Sequence, residues 1–229
     1  MKHGKKYRSI AEKIDATKEY ELSEAIEMLK ANAGAKFDES VEVHIKLNIN
    51  AKKTNEQVRA TVVLPNGTGR GKRVAVVTDS ATKEAEKAGA ALVGGEEIIA
   101  GIKEGKIVPG SAFDILLATP DMMPKLASIA KILGPKGLMP SPKNETVTTK
   151  IAEGVEMLSK GKKASFKNDD GGNIHQVIGK LSFDAGALLE NHTALFEVVS
   201  RLKPEGLKGR FIKSVTLAST MGPGIRIKA

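Results

Sequence analysis

The segment Asn66-Gly67-Thr68-Gly69-Arg70-Gly71-Lys72-Arg73 carries the glycines and cations of a loop that could wrap a nucleotide phosphate. Such a loop needs glycine first, Ser or Thr after its lysine, and a helix opening directly behind it. Here Asn66 stands first, Arg73 follows Lys72, and the next residues read as a strand. A basic, glycine-rich connection is the better reading. The turn Thr78-Asp79-Ser80-Ala81, where a dinucleotide would lie, has no glycine, so a pyrophosphate finds no close backbone approach. His3, His44, His175 and His192 show no metal spacing, and there is no cysteine to complete a zinc set. Glu96-Glu97 and Asp169-Asp170 are adjacent in sequence and diverge on helix or strand. A nucleotide-dependent enzyme centred on residues 68 to 159 is therefore only the alternative reading, and neither cofactor nor metal is expected.

Lysines and short hydroxyl side chains form a more coherent set. Alternating segments present Glu42, His44 and Lys46, then Lys163, Ser165 and Lys167, then Ser214, Thr216 and Thr220 on their polar sides. If these strands lie in one sheet, cations for phosphates and hydroxyls for ribose oxygens share one surface. Thr220-Met221-Gly222-Pro223-Gly224-Ile225-Arg226 adds small residues that let another backbone approach, with Arg226 and Lys228 as charge beside it. The net charge of +9 agrees with an anionic partner. Residues 1 to 67, 68 to 159 and 160 to 229 carry 12 basic against 10 acidic, 12 against 11, and 12 against 6 side chains, so the excess sits in the last third. Aromatic residues are only 3%, too few for a sheet that stacks single-stranded bases, which favours structured RNA read by shape and sugar hydroxyls.

The elements that position these residues change style along the chain. From Val41 to Ile49, and again from Val58 to Leu64, apolar and polar residues alternate as in half-buried strands. Between Arg73 and Leu133 short continuous apolar strands, Val74 to Val77, Ala91 to Val93 and Ile115 to Ala118, each precede a helical segment. The first helix is capped near Ser80, the second carries Ile98, Ile99 and Ile102, and the third runs from about Asp121 to Leu133. That order predicts a parallel sheet covered on both faces, a Rossmann-like unit. Alternation returns at Ala164 to Phe166, and a second strand segment runs from His175 to Leu181, before a helix capped near Ser182 and stopped by Pro204 and a last strand over Lys213 to Thr220. The early and late parts share one style, so residues 68 to 159 are expected as a domain inserted into an outer domain of residues 1 to 67 and 160 to 229, with hinges near Asn66 to Gly71 and near Lys160. Two glycines and three prolines make Gly134 to Pro142 an ordered loop.

No run of roughly 20 apolar residues is present, and the basic start lacks the apolar stretch of a signal peptide. Cytoplasmic residence and no membrane partner are expected, in keeping with zero cysteines.

Several segments are similar to one known family: Lys2-His3-Gly4-Lys5 with Tyr7-Arg8, Ala35-Lys36-Phe37-Asp38-Glu39-Ser40-Val41-Glu42, Gly94-Gly95-Glu96-Glu97, and Ile132-Leu133-Gly134-Pro135-Lys136-Gly137-Leu138-Met139-Pro140. Phe166-Lys167-Asn168-Asp169, Gly172-Asn173-Ile174-His175 and Ser219-Thr220-Met221-Gly222-Pro223 complete the set. Over essentially its whole length the chain resembles the bacterial large-subunit ribosomal protein numbered one. The resemblance implies a split α+β outer domain of the ferredoxin or RNA-recognition-motif kind holding a Rossmann-like three-layer α/β insert. It implies binding to the ribosomal RNA of the mobile side stalk near the exit-site tRNA, help in releasing deacylated tRNA, and repression of its own operon through the mRNA leader. It also implies a protein that is a monomer off the ribosome. By position, Lys36, Phe37, Lys167, Ser214, Thr220, Met221 and Gly222 look like RNA contacts, while Glu42, Lys46 and Thr216 rest on the wet-face argument. Gly224 stands where relatives often carry a small polar residue.

Overall fold

A computed structural model describes residues 4–51, 53, 56–79, 81–204, 207 and 209–228. In chain order the elements are α1 (Lys5–Ala11), α2 (Leu22–Ala31), β1 (Ser40–Leu47), β2 (Arg59–Val63), β3 (Val74–Val77), α3 (Thr82–Lys87), β4 (Leu92–Gly94), α4 (Glu96–Lys103) and β5 (Ile115–Ala118). There follow α5 (Met123–Leu126), α6 (Ala130–Leu133), α7 (Ile151–Ser159), β6 (Lys163–Lys167), β7 (Asn173–Lys180), α8 (Ala185–Arg201), β8 (Ile212–Ser219) and β9 (Ile225–Ile227). The fold is mixed α/β. It falls into two compact units, Met1–Gly69 with Ala164–Ala229, and Arg70–Lys163.

In the first unit an antiparallel sheet is ordered β7-β1-β8-β9. Its central strand has the alternation of its sequence: Val41, Val43, Ile45 and Leu47 are buried, and Glu42, His44 and Lys46 are only partly covered. Burying each of those four is worth about 1.5–3 kcal/mol relative to exposure, enough to fix which face points inward. The apolar side packs against α2, through Ala25, Ile26 and Leu29, and α8, through Leu188, Leu195 and Val199. The helix expected to be capped at Ser182 instead starts at Ala185, with Asp184 extended before it. The Ser182 hydroxyl is spent elsewhere, donating to Asp38 Oδ2 at 2.8 Å. The strands Lys163–Lys167 and Arg59–Val63 form a separate two-stranded sheet, which corrects the premise that all the wet strands share one sheet.

The buried carboxamide of Asn191, on α8, holds the chain where it leaves β2. Its Nδ2 donates to the carbonyls of Gly67 (2.9 Å) and Ile178 (2.7 Å), and its Oδ1 accepts from the Asn66 N–H (3.1 Å). The part of the glycine-rich connection nearest β2 is thus pinned, and it leads into β3 rather than into a helix.

The neighbouring His192 stacks on Phe196, with ring centroids 5.9 Å apart, and its Nε2 is buried with no hydrogen-bond partner among the described residues. Burial pushes this imidazole down to about 4. Between an ordinary unfolded value of about 6.5 and that folded value the unfolded chain binds a proton that the folded chain does not, so stability falls as pH falls through this window. The histidine is expected to remove about 2 kcal/mol at pH 5 relative to pH 8. His192→Leu should lose that much less on acidification, measured by urea unfolding at both pH values; parallel profiles for the two proteins would contradict the assignment.

In the second unit, β4-β3-β5 form a parallel sheet. Alternate residues of β3 serve opposite faces: Val74 and Val76 pack with α3 and α7 through Ala85, Ile151 and Val155, whereas Ala75 and Val77 pack with α4 and the segment that follows β5. That segment is not the continuous helix expected over Asp121 to Leu133. Pro120 and Pro124 each open a short turn of 3₁₀ or α geometry, yet Met122, Leu126, Ile129 and Leu133 keep helical spacing and all reach the core. Ser80, the expected cap of the first helix, lies outside the described residues. The Gly134 to Pro142 loop is held at both ends, by Lys136 Nζ on the Pro109 carbonyl (2.9 Å) and by the Ser141 N–H on Thr146 Oγ1 (2.8 Å).

Candidate nucleic-acid interface

Because successive strand residues point to opposite sides, burial of Val43 and Ile45 forces their neighbours onto one outer face. The register then sets the neighbours across strands. Lys46 lies opposite Ser214 on β8 and Asn173 on β7; His44 lies opposite Thr216 and His175; Glu42 lies opposite Ala218 and Val177. Arg226 on β9 extends the second row beside Thr216. Four of the expected contact residues, Glu42, Lys46, Ser214 and Thr216, are therefore on one surface. Lys167 is exposed but ends β6, in the other sheet. Its strand leads into the turn at Asp169–Gly172, and Lys46 Nζ donates to the Gly171 carbonyl at 2.5 Å.

That turn is stiff. Asp169 accepts from the Asn173 N–H (2.6 Å) and from its Nδ2 (2.9 Å), and these bonds hold its carboxyl down to about 2. Register brings two histidines together that are 131 residues apart in the chain: His44 Nδ1 and His175 Nδ1 are 2.8 Å apart, so one ring donates and the other accepts. Burial, then the facing His175, pulls the His44 imidazole below its usual value despite Glu42. Lys46 and Arg226 bring fixed positive charge to this face, and Lys180 adds another cation at the end where β1 begins, donating to Ser40 Oγ at 2.8 Å. Among the described residues no group of three His, Cys, Asp or Glu side chains could hold a metal, and no helix is long and apolar enough to cross a membrane.

At the end of the sheet where β1 begins, two loops from opposite ends of the chain meet. Thr220 continues the ladder beyond β8: its N–H donates to the Ser40 carbonyl (3.1 Å), and the Ser40 N–H donates to its hydroxyl (2.9 Å). The next turn carries Met221 and Gly222, and the loop before β1 carries Lys36 and Phe37. Phe37 is 56% exposed and Met221 62%, and both line one cleft of ≈ 520 Å³ with Lys6, Tyr7, Ile10 and Lys36. Two large apolar side chains thus stand exposed beside cations. Gly222 fits closely: a Cβ there would come 2.6 Å from Ser219 Oγ, and a larger residue would displace that hydroxyl. The helix α1, which supplies Tyr7 and Ile10, buries none of its residues, so no apolar stripe marks it in the sequence.

The family described as the ribosomal protein L1p/L10e family matches residues 29–223, from α2 to the turn beyond Met221. The chain belongs to this family. Its relatives include the large ribosomal subunit protein uL1 of Mycoplasma capricolum, 48% identical over 227 residues that cover 99% of each chain. The protein of the same name from Thermosipho melanesiensis is 47% identical over 228 residues, covering 99% of this chain and 96% of its own. That from Mesoplasma florum is 44% identical over 227 residues. The L1p/L10e family consists of structural ribosomal proteins and not enzymes, in accord with a connection at Asn66 to Arg73 that opens a strand. Its match spans both loops of the Phe37 and Met221 cleft, but α1 lies before it.

Proposed function

We propose that this chain is a structural constituent of the large ribosomal subunit that grips the ribosomal RNA of the mobile side stalk. The grip is the outer face of β1 and β8 together with the cleft at its end. The observation that carries this reading is the convergence of Phe37 and Met221, each more than half exposed, beside Lys36 and next to a face of lysine and hydroxyl side chains. Lys36, Lys46 and Lys167 serve phosphates, and Ser214, Thr216 and Thr220 serve ribose oxygens. Glu42 can only accept hydrogen bonds and repels phosphate, so it meets a 2′-hydroxyl or an exocyclic amine. Gly222 leaves backbone open to close approach.

In this account residues 68 to 159 are a Rossmann-like domain inserted into an outer domain of residues 1 to 67 and 160 to 229, and the protein is a monomer off the ribosome. Placed beside the exit-site tRNA, the stalk it holds assists release of deacylated tRNA. A single RNA-binding face also accounts for translational repression: the messenger leader of its own operon occupies the same surface when ribosomal RNA is scarce.

The test is filter binding with a side-stalk RNA fragment, the leader, and an unrelated RNA of equal length. The first two should displace each other and the third neither. Lys36→Ala should flatten the dependence of log Kd on log salt by about one unit, because one phosphate contact is lost. An unaltered slope would place Lys36 in solvent, and equal affinity for all three RNAs would remove the reading.

A further inference from the structure

The cleft is held together by a residue that lies in its floor, almost wholly covered. Glu39 is 2% exposed, and its carboxylate reaches both loops. Oε1 accepts from the Ala35 N–H at 3.2 Å, in the loop that presents Lys36 and Phe37. Oε2 accepts from the Ser219 hydroxyl at 2.7 Å and from the Met221 N–H at 3.0 Å, in the turn that presents Met221 and Gly222. Ser219 and Met221 are 180 and 182 residues away in sequence, so these are tertiary ties and not turn geometry. Burial pushes this carboxyl up, and the donors from Ser219, Met221, Ala35 and Gly34 more than offset it, leaving the group below its ordinary value and ionised at neutral pH.

Taking a carboxylate out of water costs several kcal/mol unless its oxygens are fully engaged. A position asked only to fill space would be served better by an apolar side chain. What the charge supplies here is direction: it gathers N–H and O–H donors from two loops onto one point.

We infer that Glu39 is a positioning residue for RNA binding, fastening the Ala35–Phe37 loop to the Ser219–Gly222 turn so that Phe37 and Met221 face the RNA at a fixed separation. This rests on the RNA-binding reading given above. The close fit of Gly222 against Ser219 belongs to the same device, because a bulkier residue would displace the hydroxyl that Glu39 holds.

Glu39→Gln keeps the shape but turns an acceptor into a donor facing other donors. Affinity for the side-stalk RNA fragment should fall about tenfold, the scale of losing a charged hydrogen bond. Two readouts separate positioning from a loss of fold. The salt slope should stay at its wild-type value, since Glu39 meets no phosphate. In a Met221→Ala background, Glu39→Gln should cost less than about twofold more, because the separation it fixes loses its meaning once one of the two side chains has gone. If Glu39→Gln does not fold, Ser219→Ala takes its place in the same cycle, with a loss of about threefold expected. Wild-type affinity of the Glu39 or Ser219 variant, while Met221→Ala binds weakly, would overturn the inference and leave the RNA-binding face standing. Fully multiplicative losses would also overturn it. No effect of Met221→Ala itself would remove the face first and the inference with it.

Discussion

Met221→Asp is expected to weaken binding of the side-stalk RNA fragment by about a hundredfold, the equivalent of roughly 2.7 kcal/mol, while the urea midpoint of the free protein stays unchanged. Met221 is 62% exposed, so replacing it removes little that holds the unbound fold together. On the complex the substitution acts twice: apolar area that the RNA would cover is lost, and a carboxylate is set against a phosphate backbone, where like charges cost several kcal/mol when water is excluded. Met221→Leu, which keeps volume and polarity, should bind within a few fold of the parent. Thr220→Ala is a poorer probe of the same turn. Its hydroxyl accepts from the Ser40 N–H, so removing it disturbs the ladder as well as any ribose contact. Filter binding at two salt concentrations, with urea titrations of the same preparations, gives both answers.

Asn191→Ala should cost about 3 kcal/mol of folding stability, read as a lower urea midpoint at unchanged slope. The carboxamide satisfies three backbone groups, the carbonyls of Gly67 and Ile178 and the N–H of Asn66, inside a region closed to water. Each group stranded by the truncation carries a desolvation cost of about 1–3 kcal/mol, reduced where water can enter the space left behind. Asn66→Ala is the control: its side chain bonds Glu190 and Ala187 at an exposed site, and its loss should stay under about 1 kcal/mol. Equal losses for the two would show that Asn191 does not anchor the chain leaving β2.

The difference between these two residues follows what a sequence can express. Alternation over Val41 to Leu47 is a direct record of burial on one face of a strand, and Ile212–Ser219 is legible for the same reason, whereas in Asn173–Lys180 consecutive apolar residues and a register shift interrupt the pattern. Leu22, Ala25, Ile26 and Leu29 also have the helical spacing that α2 bears out. The strand β9 is three residues long, too short for alternation to be distinguished from coincidence. Exposed Phe37 is marked only by family resemblance, since no periodicity marks a side chain that faces water, whereas Met221 stands in the Thr220 to Arg226 segment, whose small residues and glycines are legible by themselves. Lys167 cannot be assigned to its sheet from sequence, because wet strands look alike and which strands pair is decided by hydrogen bonding across the chain. For the same reason Glu39 was invisible. A glutamate next to an aspartate and a serine reads as surface, and only the arrival of Ser219 and Met221 makes it a buried clamp.

Hydroxyl-radical footprinting of the protein tests the central claim most directly, because it reports side chains. Phe37, Met221 and, in the second unit, Met157 are all exposed and oxidisable. On addition of the side-stalk RNA fragment, oxidation of Phe37 and Met221 should drop sharply while Met157 reacts at its free rate. Protection of Met157 with Phe37 and Met221 unchanged would contradict the account.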